Sequence, residues 1–136
     1  YICSRNRKRI LFEEAAKRGI SKIALGHHRD DIIETTLLNL FFRGEVATMM
    51  PVQPFFNGKL RIIRPMCEVD EGDLVRLSRR IELPVVDRDC PRKDLNQRLL
   101  MKEVIRHLSR VNRHVRGNIY RAPWNINCEY LPLPRR

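Results

Sequence analysis

Apolar residues recur along this chain at helical and at strand spacing in turn, and the alternation lays out an α/β order. Over residues 5–18, Leu11, Phe12, Ala15 and Ala16 fall at helical intervals, and Gly19 supplies a stop. Residues 22–25 read as a short buried strand ending at Gly26. Asp30 and Asp31 then open a second helix, where carboxylates suit the positive end of the helix dipole. Its apolar face is Ile32, Ile33, Thr36, Leu37, Leu40 and Phe41, and Gly44 closes it. Residues 45–53 read as an irregular loop, and residues 55–63 as a hairpin turning at Asn57-Gly58. Asp70 and Asp73 cap a third helix carrying Leu74, Leu77 and Ile81. After an extended Pro84-Val85-Val86, a basic helix is expected over residues 94–110, burying Leu100, Val104, Ile105 and Leu108. From Ala122 onward the Pro-rich tail, with Trp124 and Tyr130, reads as extended and irregular. A parallel sheet needs more strands than these, so part of the sheet is expected to lie outside the 136 residues.

Length suits one small domain with a modest core. No apolar run approaches bilayer length, and the basic start does not resemble a secretion signal, so a cytoplasmic protein is expected. Charge changes the picture more. Lys and Arg number 27 against 16 acidic residues, for a net charge of +11, which favours a polyanionic partner. Arg98, Lys102, Arg106, Arg110 and Arg113 recur at steps of four, four, four and three, so they share roughly one helix face. With Arg5 and Arg7 they are candidates for nucleic-acid phosphates; a merely solvated face is the alternative.

The most specific segment is Gly26-His27-His28-Arg29-Asp30-Asp31, set where a strand ends and a helix begins. Ligands bind at the carboxyl ends of strands in such sheets, and a helix N-terminus there attracts phosphate. Two histidines and two carboxylates at that crevice could hold Mg²⁺ and orient a nucleotide. Equally, an aspartate could simply cap the helix while His27 packs. The four cysteines, at 3, 67, 90 and 128, form no Cys-x-x-Cys pair, and their spacing leaves buried thiols and metal ligands both open.

This segment, continued by Glu34-Thr35, resembles the second signature of the PP-loop ATP pyrophosphatases. Leu38-Asn39-Leu40-Phe41 with Arg43-Gly44, Met50-Pro51 and Ile63-Arg64-Pro65 are similar to later landmarks of that family. Two branches compete. The tRNA-lysidine synthetases share the Gly-His-His-x-Asp-Asp pattern, but Cys3-Ser4-Arg5 with Arg7, and Asp89-Cys90-Pro91, look like the 2-thiocytidine synthetases. Asn96-Gln97-Arg98, Gly117-Asn118-Ile119 and Glu129-Tyr130-Leu131-Pro132 fall on the same side.

The resemblance implies a Rossmann-like domain of the adenine nucleotide α-hydrolase type, here without its N-terminal strands. The family's Ser-Gly-Gly-x-Asp-Ser phosphate loop does not occur among these residues, so residues 1–136 are expected to be the C-terminal portion of such an enzyme, inactive alone. The intact enzyme would adenylate the C2 oxygen of a tRNA cytidine with ATP and replace it with sulfur. On the positions that match, Gly26, His27, His28 and Asp30 would bind the nucleotide, Asp30 and Asp31 would serve catalysis with Mg²⁺, and Cys3 and Cys90 would ligate a 4Fe-4S cluster. A third cysteine ligand is expected three residues before Cys3. Cys67 and Cys128 match no ligand and are read as packing residues. The resemblance further implies tRNA and a sulfur donor such as a cysteine desulfurase as partners, no membrane, and leaves a homodimer open. A lysidine synthetase, a 2-thiouridine-forming relative and a non-catalytic basic tRNA-binding fragment are the rival readings.

Overall fold

The computed structural model describes residues 2–84 and 97–131, the side chains of residues 2–4 excepted. Helix α1 (Ile2–Lys17) ends where Gly19 takes φ +64°, with Gly19 N–H donating to Ala16 O and Ile20 N–H to Ala15 O. That reciprocal pair satisfies the last carbonyls and turns the chain into strand β1 (Lys22–Ala24). Helix α2 (Arg29–Arg43) follows, closed by Gly44 in the left-handed conformation. Strands β2 (Val52–Phe55) and β3 (Leu60–Ile63) form the expected hairpin, and α3 (Glu71–Arg80) comes next. Helices α4 (Gln97–Val111) and α5 (Val115–Arg121) lead into two short 3-10 turns, Ala122–Trp124 and Cys128–Tyr130, where the sequence suggested only extended chain.

The sheet order is β1-β3-β2. β3 lies between a parallel neighbour, with Ile23 opposite Ile62, and an antiparallel one, with Gln53 opposite Ile62. Pro54 is tolerated because β2 is an edge strand. The four-residue hairpin loop is centred on the expected Asn57-Gly58, which Lys59 N–H closes by donating to Phe56 O, and a second turn overlaps it one residue earlier. Gly58 N–H donates to Phe55 O, and the two central residues, Phe56 and Asn57, take φ of 50° and 56°. A bulky residue rarely adopts that backbone, and here Phe56 packs against Phe12 and Phe55.

Three other expectations change. Strand β1 is half exposed rather than buried, because it forms the other edge of the sheet and its outer side pairs with nothing among the described residues. Helix α4 buries Ile105 and packs Val104 on the core as expected, but Met101 rather than Leu100 is the other buried residue, and Leu100 and Leu108 are exposed. Only the first turns of α2 are enclosed, leaving Leu40 and Phe41 exposed. Residues 85–86 and 94–96, read as an extended piece and a helix start, lie outside the described residues.

The core sits between α2, α4 and α5. Ile33, Leu37, Met101 and Ile105 are buried together, with Leu38, Val104, Ile119 and Tyr120 packed around them. Thr48 reaches across the preceding loop to donate to Ile32 O and meets Thr36 Oγ1 at 2.9 Å, so the loop is tied to α2. Ile33→Ala should therefore lower unfolding free energy by about 3 kcal/mol, because it removes buried methylenes and leaves a cavity. Leu99→Ala, at an exposed position of α4, should cost about 0.5 kcal/mol or less. Urea denaturation of the two variants checks this contrast.

Candidate functional site

Parallel pairing sends the carboxyl ends of β1 and β3 to the same side of the sheet. Gly26 and His27 follow β1, and Arg64 follows β3. They line a cleft of about 580 Å³ whose opposite wall is α1, with Lys8, Leu11 and Phe12. Ile23, Leu25 and Ile62 make its floor apolar, while Arg5 and Arg7 also face it. Such a volume is ordinary for a small-ligand site. Burial is the largest influence on His27 and pushes its pKa below the usual imidazole range. Asp31 opposes that shift, and Arg64, Arg98 and His28 add to it. His27 Nδ1 is buried without a hydrogen-bond partner among the described residues.

The two aspartates turn away from this cleft. His28 caps α2, its backbone N–H donating to Asp31 Oδ2 at 3.0 Å, and Arg98 from α4 reaches Asp31 Oδ1 at 3.4 Å. Asp30 is buried, accepts from Glu71 N–H at 2.8 Å and pairs with Arg116 of α5. Glu34, one turn further along α2, is 3% exposed and meets Arg98 at 3.1 Å and Lys102 at 3.7 Å. Burial raises the Glu34 pKa, against the pull of Lys102 and Arg98. For Lys102, burial acts to lower the pKa, yet its hydrogen bond to Glu71 and the nearby carboxylates win and raise it.

The expected residues therefore divide. Gly26 and His27 share the cleft with Arg5 and Arg7, while His28 sits beside Asp31 at the helix start. Asp30 and Asp31, expected to orient a nucleotide and its metal, have their oxygens engaged by backbone N–H groups and arginines. Among the described residues no cluster of three or more His, Cys, Asp or Glu side chains forms a metal site. Arg98 and Lys102, both partly exposed, also pair with Asp31, Glu34 and Glu71. Arg106 and Arg110 on the same helix are exposed. Of the cluster ligands, Cys3 begins α1 without a described side chain, and Cys90 lies outside the described residues. Cys67 is half-buried and Cys128 exposed, both as thiols.

Sequence reasoning passed over Arg64, Glu34 and Arg116 as site residues. Glu34 carried a signal: four positions after Asp30, it had to share that residue's helix face. Arg64 carried another, as a cation placed directly at the end of an apolar strand.

A model of the PP-loop domain family matches residues 3–108. The tRNA-cytidine(32) 2-sulfurtransferase of Geobacter sulfurreducens is 39% identical over 133 residues, covering 96% of this chain and 51% of that protein. The protein of the same name from Geotalea uraniireducens is 39% identical over 137 residues, covering 99% and 54%. The chain thus spans about half the length of the curated relatives it matches. Among solved structures, the U34-tRNA thiolase NcsA from Methanococcus maripaludis, with its 4Fe-4S cluster, superposes with a TM-score of 0.72 at 20% identity. The match covers 90% of this chain and 41% of that one. The fold is α/β of the adenine nucleotide α-hydrolase type.

Two measurements test the geometry. Asp30→Ala strips Arg116 and Glu71 N–H of their partner and should cost about 2–3 kcal/mol in urea unfolding. His27 has its folded pKa below the unfolded value of 6.5, so the unfolded chain takes up its proton first on acidification. Its contribution to stability is complete above about pH 6.5 and is lost as pH falls through that value toward the folded pKa. His27→Gln should flatten that part of the stability–pH curve.

Proposed function

The chain belongs to the PP-loop domain family, and from that premise we propose that it is the C-terminal portion of an ATP-dependent tRNA thiolation enzyme acting on the C2 oxygen of a cytidine. One observation carries the reading: the Gly26-His27 turn stands at the carboxyl end of a parallel strand, on the rim of a cleft lined by cations. A polyanionic RNA and a nucleotide are the substrates such a cleft suits. The identity to tRNA-cytidine(32) 2-sulfurtransferases supports cytidine as the base.

When bound, ATP would supply the adenylyl group that makes the C2 oxygen a leaving group, and a 4Fe-4S cluster would carry the replacing sulfur. Cys3 and Cys90 are its proposed ligands in this chain. The chain's own contribution is positioning. The apolar floor of Ile23 and Ile62 limits water around the reacting groups. His27, kept neutral by burial, can accept or donate a hydrogen bond without adding charge. The Asp31 cap fixes the start of α2, so the His27-His28 turn is held from behind while the cleft stays open in front. Arg5 and Arg7 at the cleft, with Arg106 and Arg110 on α4, are the proposed contacts to RNA phosphates. A sulfur donor and a cytoplasmic location belong to the same proposal. No helix among the described residues is long and apolar enough to cross a membrane.

The test is made on the protein as its gene encodes it, loaded with iron and sulfide under anaerobic conditions. With ATP and tRNA it should form 2-thiocytidine, detected by nucleoside mass spectrometry. Cys3→Ser and Cys90→Ser should each abolish both the visible absorption of the cluster and the thiolated product. Product that survives both substitutions would rule out sulfur transfer through these ligands.

A further inference from the structure

Arg64 is 6% exposed, and a buried guanidinium is costly unless its N–H groups are satisfied. Two of its nitrogens are satisfied, one by Met50 O and the other by Gln53 Oε1 at 3.3 Å. Its Nε is buried with no partner, and among the described residues no carboxylate forms an ion pair with it. The nearby acids are used elsewhere: Asp31 and Glu34 are held by Arg98, and Asp30 by Arg116. Arg64 thus differs from Asp30 and Glu34, the other buried charges among the described residues, which both have counter-ions.

The same cleft holds two more groups in this condition. Lys8 Nζ stands 4.1 Å from the Phe55 ring centroid and 5.5 Å from that of Phe12, an ammonium over aromatic faces rather than beside a carboxylate. His27 Nδ1 is buried without a partner. Burial lowers the Lys8 pKa and the Arg64 charge lowers it further; Arg64 acts in the same direction on His27. The Lys8 and Arg64 cations repel one another in an apolar surround, where an anion between them gains more than it would in water.

We propose that Arg64, Lys8 and His27 form a seat for a phosphate group inside the cleft, with Arg64 as the residue that positions it. Tied at both terminal nitrogens, the guanidinium cannot swing away, so its charge is fixed beside the cleft before a ligand arrives. Lys8 adds a mobile point charge, and His27 a neutral partner for a phosphate oxygen. The chemistry is that of a phosphate oxyanion, from a nucleotide or from an RNA backbone. This inference rests on the reading of the cleft as the place where nucleotide and RNA meet, but its binding test needs no tRNA turnover, iron or sulfur.

The experiment is calorimetric titration with inorganic pyrophosphate, AMP and a short single-stranded RNA. Binding of at least one probe is expected, and Lys8→Gln should weaken it about tenfold, the loss of one charge-assisted contact. Lys17→Gln, at the far end of α1 beside Glu14, should leave it unchanged. Tighter pyrophosphate or AMP binding assigns the seat to the nucleotide; tighter RNA binding assigns it to the backbone. Arg64→Lys keeps the charge but loses the two ties that hold it in place and should also weaken binding. Because Arg64 also ties down the chain at Met50, a second readout guards against misfolding. In the unmodified protein, the bound probe should raise the pKa of His27, followed by NMR, against the fixed surroundings of Asp31, His28, Arg64 and Arg98. Failure of all three probes to bind, or equal affinity in the Lys8→Gln variant, overturns the seat while leaving sulfur transfer to be judged by its own assay.

Discussion

Carboxylates gathered around the start of one helix repel each other, and burying them multiplies the cost unless cations come with them. Asp30, Asp31 and Glu34 of α2 are gathered in this way, and α4 and α5 bring Arg98, Lys102 and Arg116 to meet them. The hydrophobic contacts of Ile33 and Leu37 with Met101 and Ile105 supply the driving force for that docking, and the ion pairs set its register. Sliding α4 by one residue would separate both sets of partners at once. The attachment of the C-terminal helices thus depends on the same few residues that begin α2.

That arrangement gives α2 two chemically distinct sides. Behind it, acids and bases neutralise one another. In front, around His27 and Arg64, cations face a cleft without counter-ions among the described residues. The motif that looks from its letters like one catalytic cluster is split by the geometry of the helix start. Gly26 and His27 line the cleft, while the aspartates accept from backbone N–H groups behind it.

Much of the fold was legible because its signals are local. Gly19 and Gly44 stop helices by backbone conformation, and the acids at 30 and 31 mark a helix start whatever surrounds it. The hairpin and its Asn57-Gly58 turn were legible too, because turn propensity acts locally; the left-handed Phe56 beside them was not, since its ring packs on Phe12 of a distant helix. Burial was harder to read. Whether Leu100 or Met101 faces inward depends on where α2 lies, which is information held by another part of the chain. The same holds for the basic stripe. Regular spacing placed Arg98, Lys102, Arg106 and Arg110 together, but only the tertiary contacts show that the first two reach the acids of α2 and α3.

The outer side of β1, unpaired among the described residues, has a consequence for how the chain behaves in concentrated solution. A strand edge with unpaired N–H and C=O groups is a template onto which any extended segment can add by hydrogen bonding, including the same segment of a neighbouring molecule. Ile23, Ala24 and Leu25 offer little resistance to such stacking, and the flanking charge of Lys22 is the one gatekeeper the strand itself carries. A strand added along that edge would therefore guard against aggregation as well as extend the sheet.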